Sequence, residues 1–307
     1  MLGATVGLLG GWAVLTEYPS VIGAVLFAGL ALAHAARGGR APRVAITLCA
    51  GAGVCAAALA MYQTAAFGSP FHVSYASEEN TDLLRAGFFG ITLPQPHVMA
   101  ELLWGTWRGL LPLSPALVAA PVGLWLAWRR ADIRLSVTAG VIVFVLLLLL
   151  NAAYAHWEGG WAYGPRHLVP ALGFVCVGLA LLWDWLPRWG AVVLALAIAY
   201  GIGCSLAAVA VTPQLPPGFA DPMRELLWPA FRAGKLAINT QSILDLGPLN
   251  GDWAGQKPIG VAWNLGQRLG LGGLVSLLPL AAIWIACAIV WPQASTPQPQ
   301  VRSEVRS

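Results

Sequence analysis

Long apolar runs recur along the 307-residue chain and constrain its fold more than any single motif does. A helical run of about 20 apolar residues crosses the hydrocarbon core of a bilayer, which is ~30 Å thick. The runs are continuous rather than alternating, which excludes a β-barrel. Charged residues make up 10% of the chain, against about 25% in a soluble domain. The sequence therefore predicts an all-α polytopic membrane protein with about seven to eight transmembrane helices. The predicted spans lie near residues 2–16, 19–36, 44–66, 113–128, 135–155, 167–183, 190–211 and 271–291.

The charged residues between the runs predict which loops lie on which side of the membrane. Two short loops, 37–43 and 129–134, carry three arginines each, whereas the stretch 67–100 carries three acidic residues and one arginine. By the positive-inside rule the two basic loops are cytoplasmic. We therefore expect a multi-pass protein of the cytoplasmic (inner) membrane, with its polar chemistry facing the outside. The segments predicted to lie outside are 67–112, 156–166 and 212–270.

Two of the predicted outer segments have the pattern of amphipathic helices that lie on a membrane surface. In 97–111 the apolar face comprises Met99, Leu102, Leu103, Trp107, Leu110 and Leu111, with Glu101 and Arg108 elsewhere on the wheel. In 221–234 we expect Asp221 as the N-cap and Gly234 as the end, with an apolar stripe of Met223, Leu226, Leu227, Ala230 and Phe231. The tail is rich in Pro, Ser and Gln, which predicts disorder. We thus expect one transmembrane domain, 1–292, followed by a disordered cytoplasmic tail, 293–307.

The segment between the fifth and sixth predicted spans, HWEGGWAYGPRH at 156–167, is dense in aromatic and ionisable groups. Such groups at a membrane edge are functional-site candidates by default. Arg166, near the start of the next helix, suits a bidentate contact to phosphate or pyrophosphate. Glu158 is a candidate base, partner of Arg166 or metal ligand. The alternative is an interfacial anchor loop in which Glu158 and Arg166 neutralise each other. The other candidates are Trp157, Trp161 and Tyr163, which suit stacking on a sugar ring or isoprenoid chain, and His167.

Two further segments of the predicted outer face hold candidate binding residues. His72 and Tyr75 lie in GSPFHVSYASEEN, with Glu78 and Glu79 close behind. A solvated loop with an aromatic anchor is the alternative there. Glu17 lies between two apolar helices and needs a partner or water, so we expect it to line a shared outer cavity.

The sequence contains no P-loop, HExxH motif, Ser-His-Asp ordering or haem-type cysteine motif. No cofactor, resident metal or nucleic-acid partner is therefore expected, and metal dependence stays open. The cysteines are odd in number, lie in apolar spans and form no CxxC pair, so we expect small buried apolar residues rather than disulfides or metal ligands. They are Cys49, Cys55, Cys176, Cys204 and Cys287.

Five segments together resemble the C-terminal portion of bacterial membrane glycosyltransferases of the GT-C fold, related to protein O-mannosyltransferases and lipid A aminoarabinose transferases. They are GLLGGWAVLTEYPSVIG, YQTAAFGSPFHVSY, GTWRGLLPLSPAL, AHWEGGWAYGPRHLVPAL and NLGQRLGLGGLVSLLPL, in the order of the family. The resemblance implies transfer of a sugar from a polyprenyl-phosphate donor to an acceptor outside the cytoplasmic membrane. It also implies that Arg166, in the GPR element, contacts the phosphate of the donor, and that membrane lipid surrounds the protein.

The chain departs from the family at the catalytic carboxylate. In the family this residue lies in the first outer loop, upstream of anything that matches Gly7–Ser20, so no catalytic residue is assigned here. We expect a missing N-terminal half or a partner chain to carry it. One alternative is a non-catalytic accessory protein that binds lipid phosphate. A transporter of lipid-linked precursors is the other, and the nearly pure Ala, Leu, Val and Gly composition of the spans argues against it.

Overall fold

The computed structural model describes residues 2–72, 87–88, 90–212, 214–215, 218–237 and 264–294. Nine helices, α1 to α9, form the framework of this described part. They are α1 (Leu2–Thr16), α2 (Val21–Arg37), α3 (Ala41–Phe67), α4 (Pro96–Trp104), α5 (Ala120–Trp128), α6 (Arg134–Ala153), α7 (Val169–Trp183), α8 (Arg188–Val211) and α9 (Leu278–Ala294). The chain divides into two units, residues 1–206 with 219–222 and residues 207–218 with 223–307.

The helices are those of a polytopic membrane protein. Within the described residues, six of them are long and apolar enough to cross a bilayer, and two shorter apolar ones, Gly3–Thr16 and Pro115–Trp128, accompany them. The six are Tyr18–Arg37, Ala41–Phe67, Arg134–Ala153, Arg166–Trp183, Arg188–Val211 and Gly273–Val290. Each of the eight predicted spans contains a helix. The all-α class is confirmed, and six helices of full spanning length lie within the described residues.

The predicted span 113–128 is not one continuous helix. A short helix, Leu110–Leu113, and a 3-10 turn, Pro115–Ala119, precede α5. Between them Ser114 has a non-helical backbone with φ −141° and ψ 68°. Proline disfavours a helical backbone in the residue before it, so Pro115 accounts for this break.

Glycines let two pairs of helices in the first unit approach closely. A Cβ atom at Gly7 of α1 would clash with the Leu48 carbonyl of α3, and one at Gly51 would clash with the Ala4 carbonyl. A Cβ atom at Gly123 of α5 would likewise clash with the carbonyl of α7 that faces it. Small residues at such contacts drive helix association within a membrane, where lipid leaves little hydrophobic driving force.

Helix α4 belongs to the core of the first unit, and this corrects the helix predicted over 97–111. Val98 and Leu102 are 2% and 0% exposed and pack with Leu147 of α6 and with Leu168. The helix ends at Trp104, and Gly105 has an extended backbone with φ −61° and ψ 141°. The predicted apolar face therefore does not continue past Gly105, which places Arg108 in a loop.

The second unit contains the helix predicted over 221–234. A π-helical turn, Met223–Leu227, leads into a short helix, Trp228–Arg232, and Gly234 follows with a φ of 69°. Four of the five residues in the predicted stripe are buried, namely Met223, Leu226, Leu227 and Ala230. The amphipathic pattern is confirmed as a buried face, whereas its position on an outer membrane surface stays a prediction.

All five cysteines are free. Cys55 and Cys204 are buried as expected, whereas Cys49, Cys176 and Cys287 are exposed. The prediction of buried residues is wrong for these three. They lie on faces of apolar helices that no other described residue covers, where lipid solvates a thiol as it solvates an alkyl chain.

Candidate functional site

The aromatic loop, residues 154–165, joins α6 to α7 and is anchored to the segment just before α4. The carbonyls of Ala152 and Ala153, at the end of α6, accept hydrogen bonds from the backbone N–H groups of Gln95 and Thr92 at 3.0 and 2.8 Å. The N–H of Ala155 donates to Gly90 at 2.8 Å. Carbonyls at a helix end have no partner within the helix, so these bonds fix where the loop starts.

The turn predicted at Gly159 and Gly160 is confirmed. Both residues have positive φ, 71° and 65°, a region that glycine enters without steric cost. Pro165 then leads into the 3-10 turn Arg166–Leu168, and α7 begins at Val169. Arg166 is exposed and lies at the start of this turn, close to the position expected from the sequence.

Three charged side chains interact around the aromatic loop. Arg108 is 2% exposed, donates to the carbonyl of Ala162, and lies 4.6 Å from the ring centroid of Trp107. Burial lowers the pKa of the Arg108 guanidinium, the charge of Glu158 raises it, and the charge of Arg166 lowers it again. Arginine still keeps its proton, because its ordinary pKa is above 12.

Charges of both signs act on the buried Arg108 guanidinium. They are the charge of the Glu158 carboxylate and the charge of the Arg166 guanidinium. The Glu158 Oε1 atom also lies 3.6 Å from Nδ1 of His156. In the described part of the chain no carboxylate forms an ion pair with Arg166. The predicted mutual neutralisation of Glu158 and Arg166 is therefore not found as a direct contact.

The three aromatic candidates of the loop differ in accessibility. Trp157 is half-buried, meets the Trp107 ring edge-to-face at 5.7 Å and packs against the core. Tyr163 is also half-buried, and burial raises the pKa of its phenol well above the usual range. Trp161 is 37% exposed. Trp161 thus offers the most open ring face for stacking.

Glu17 and His167 lie in contact, although 150 positions separate them in the sequence. Oε1 of Glu17 lies 3.4 Å from Nδ1 of His167, with side chains 33% and 9% exposed. The ring of Tyr154 lies 5.9 Å from the ring of His167 and also 5.9 Å from that of His156. Tyr154 thus connects the Glu17–His167 pair to the aromatic loop.

The Glu17–His167 pair faces a cavity of about 660 Å³, the polar cavity. Its polar lining side chains are Glu17, Tyr18, Gln63, Asn151, Tyr154 and His167. The apolar ones are Pro19, Val21, Leu59, Pro70, Phe71, Phe88, Ile91, Leu147 and Leu150. The expectation that Glu17 lines a cavity is thus met by the geometry. Ligand pockets commonly have this size and this mixture of apolar walls with few polar groups.

Sequence reasoning missed two residues of this region. The helical pattern places Arg108 on the polar side of a continuous helix. In the structure the helix ends before Gly105, and the Arg108 side chain is buried. Asn151 is 3% exposed and lines the polar cavity, yet it is one polar residue within a long apolar run. The signal for Asn151 was available, because an amide in a membrane-spanning helix needs a hydrogen-bond partner.

The remaining candidates lie elsewhere or outside the described residues. His72 stacks on Phe67 with ring centroids 4.8 Å apart, at the end of α3, while its neighbour Phe71 lines the polar cavity. Tyr75, Glu78 and Glu79 lie outside the described residues. Within the described ranges, no three His, Cys, Asp or Glu side chains are grouped as metal ligands.

Comparisons of the chain with known protein families, with curated proteins and with solved structures found no match.

Proposed function

We propose that this membrane protein binds a polyprenyl-phosphate sugar at the aromatic loop and acts as the donor-binding part of a GT-C-like glycosyltransferase. The resemblance of the five sequence segments suggests the class of reaction. The single observation that supports it best is the buried Arg108 guanidinium, which donates to the carbonyl of Ala162 in the loop that leads to the exposed Arg166. In this proposal the loop faces the outside of the cytoplasmic membrane, as the loop charges predict.

A phosphate suits the two guanidinium groups for an electrostatic reason. Their charges repel each other where Arg108 is buried, and a bound anion relieves that repulsion. Arginine also matches phosphate geometrically, since its planar fork donates two parallel hydrogen bonds. The Nε atom of Arg108 is buried without a partner in the described structure, which leaves one such donor available.

The chemistry assigned to this chain is stabilisation of the leaving phosphate. During sugar transfer an acceptor hydroxyl oxygen bonds to the anomeric carbon and gives its proton to a base that is not assigned in this chain. The bond between the anomeric carbon and the phosphate oxygen breaks in the same step, and negative charge grows on that phosphate oxygen. Fixed positive groups aimed at the developing charge lower the barrier. We assign no catalytic base, because neither Glu17 nor Glu158 matches the position of the family's carboxylate, which lies upstream of anything that matches Gly7–Ser20.

The unassigned base leaves one alternative, an accessory protein that binds lipid phosphate without transferring the sugar. The two functions share the phosphate site and differ in turnover. Transfer of a radiolabelled sugar from its polyprenyl phosphate to an acceptor, measured on the protein in its native membrane, separates them.

The phosphate site is tested by binding of polyprenyl monophosphate to the full chain in nanodiscs. We expect Arg166→Gln to weaken binding by about 10- to 100-fold, the worth of a charge-assisted hydrogen bond. Arg129→Gln is the matched control. Arg129 is also exposed, but its loop is predicted to lie on the cytoplasmic side of the membrane, opposite to Arg166. The uncharged polyprenol should bind all three proteins equally. Equal phosphate binding by wild type and Arg166→Gln would refute the proposal.

A further inference from the structure

Asn151 is a buried side chain with both of its polar atoms unpaired. It lies in the last turn of α6 and is 3% exposed. Neither Nδ2 nor Oδ1 has a hydrogen-bond partner among the described residues. An amide removed from water without partners costs about 1–3 kcal/mol by protein mutational data, and native structures rarely leave such a group unsatisfied. The amide therefore calls for a partner from outside the protein.

That partner must fit the polar cavity, because Asn151 lines it. The amide presents a donor and an acceptor side by side, so its natural complement is a group with an acceptor and a donor at the same spacing. Two neighbouring hydroxyl groups of a sugar supply this arrangement. A phosphate does not, since an ionised phosphate offers acceptors and would leave Oδ1 unpaired.

The other polar groups of the cavity suit the same kind of ligand. Nε2 of Gln63 donates to the hydroxyl of Tyr18 at 3.4 Å, and Gln63 is 6% exposed. Nε2 of His167 is buried and unpaired in the described structure, while its Nδ1 faces Glu17. Among the described residues, these groups share the lining of the cavity with nine apolar residues. A ring that carries hydroxyls around an apolar face matches such a lining.

We propose that the polar cavity is a sugar-binding site in which the Asn151 amide hydrogen-bonds two neighbouring hydroxyl groups of the ring. His167 Nε2 pairs with a further hydroxyl, and the aromatic residues of the lining, Tyr18, Phe71, Phe88 and Tyr154, contact the apolar face of the ring. This inference goes beyond the phosphate site and does not depend on it, since free and lipid-linked sugars carry the same hydroxyls. Asn151 is then the residue that selects the ligand by its hydroxyl pattern.

The test compares sugar-bearing and sugar-free probes on the full chain in nanodiscs. The probes are polyprenyl monophosphate, the same lipid carrying mannose or glucose, and the methyl glycosides of both hexoses. We expect a hexose to tighten lipid binding by the wild type. Asn151→Leu should weaken binding of the preferred hexosyl lipid at least about tenfold, because two hydrogen bonds are lost, and leave the sugar-free lipid within about twofold. Leu146→Met, a volume-conserving change in the same helix but outside the lining of the cavity, is the matched control.

Two further measurements separate a site effect from misfolding. Asn151→Leu removes an unsatisfied amide, so its thermal unfolding midpoint should equal or exceed that of the wild type. Asn151→Ser replaces the amide by a single hydroxyl group, and we expect its hexose affinity to lie between those of wild type and Asn151→Leu.

Each outcome decides between the two proposals. Methyl hexosides that bind the wild type but not Asn151→Leu, with no binding of either phosphate lipid, support the sugar site and refute the phosphate site. Phosphate lipid that binds equally with and without a hexose in the wild type refutes the sugar site alone. If Asn151→Leu binds the hexose as tightly as the wild type does, the amide makes no hydrogen bond to the sugar, and the inference is refuted. Failure of every probe refutes both.

Discussion

The polar cavity and a second, apolar groove of the first unit have nearly equal volumes, about 660 and 690 Å³. The apolar groove is lined by residues of α4 to α7 and their connections, almost all of them aliphatic or aromatic, from Leu103 and Trp104 to Phe174 and Val175. Among the described lining residues, Thr138 is the only polar one apart from the tryptophans, and its hydroxyl donates to the carbonyl of Arg134 within its own helix. Lipid chains fill such a groove without leaving any group unsatisfied. The polar cavity differs because filling it with lipid would strand Asn151 and His167.

The arginines near the two regions differ in the same way. Arg129 stacks on Trp125, a lining residue of the apolar groove, at 3.6 Å and is exposed. Arg108 stacks on Trp107 at 4.6 Å but is buried, and its charge interacts with that of Arg166. A cation–aromatic contact thus occurs both at the apolar groove and at the aromatic loop. What distinguishes the candidate site is buried polar groups that still lack partners.

The largest expected effect is a difference in the free energy of unfolding between variants of the two stacked arginines, Arg108 and Arg129. Arg108→Met leaves the Ala162 carbonyl without its charged donor and should lower the free energy of unfolding by about 2–3 kcal/mol. Arg129→Met removes only an exposed cation–aromatic contact and should cost less than about 1 kcal/mol. Chemical unfolding of both variants in micelles measures the difference. Equal losses would show that burial of Arg108 carries no special weight.

A smaller effect of opposite sign is expected at Asn151. Without ligand, Asn151→Leu should raise the free energy of unfolding by about 1–2 kcal/mol, because an unsatisfied amide is replaced by an apolar side chain. The matched change in the apolar groove, Val137→Asn, should lower it by a similar amount or more. Opposite signs in the two regions would sharpen the comparison. A loss of stability in ligand-free Asn151→Leu would contradict it.

The smallest effect is expected on the pH dependence of stability, at Asp132 in the loop between α5 and α6. A hydrogen bond from Arg130 at 3.1 Å lowers the pKa of the exposed Asp132 carboxyl. A lowered pKa in the folded protein stabilises it above the unfolded pKa of about 3.9, and this contribution is lost as the pH falls through the folded value. Unfolding midpoints of wild type and Asp132→Asn should therefore differ slightly at neutral pH and converge in acid. A difference between the two unfolding midpoints that grows as the pH falls would contradict a lowered pKa at Asp132.

The sequence predicted the helices well and the site only in part, for physical reasons. Long apolar runs determine membrane-spanning helices almost by themselves, so α3 and α6 were found near their true bounds. The turn at Gly159 and Gly160 was also predictable, because positive φ favours glycine. The contact between Glu17 and His167 was not, since it depends on how distant helices pack.

Arg108 shows how one local error changes the interpretation of a site. A helical wheel over 97–111 places it away from the apolar face, as a solvated charge. The extended backbone at Gly105 ends the helix, and the loop then turns the guanidinium toward the aromatic loop. The helical period predicts which way a side chain points only as far as the helix continues. A single glycine such as Gly105 is a weak signal of where a helix ends.

The measurement that tests the central claim most directly is an experimental structure of the full chain with polyprenyl phosphate bound. The account predicts phosphate oxygens within about 3 Å of the Arg166 guanidinium, on the side of Arg108. A phosphate bound instead at Arg129 or Arg134, beyond the apolar groove, would contradict the account and make the groove the lipid site.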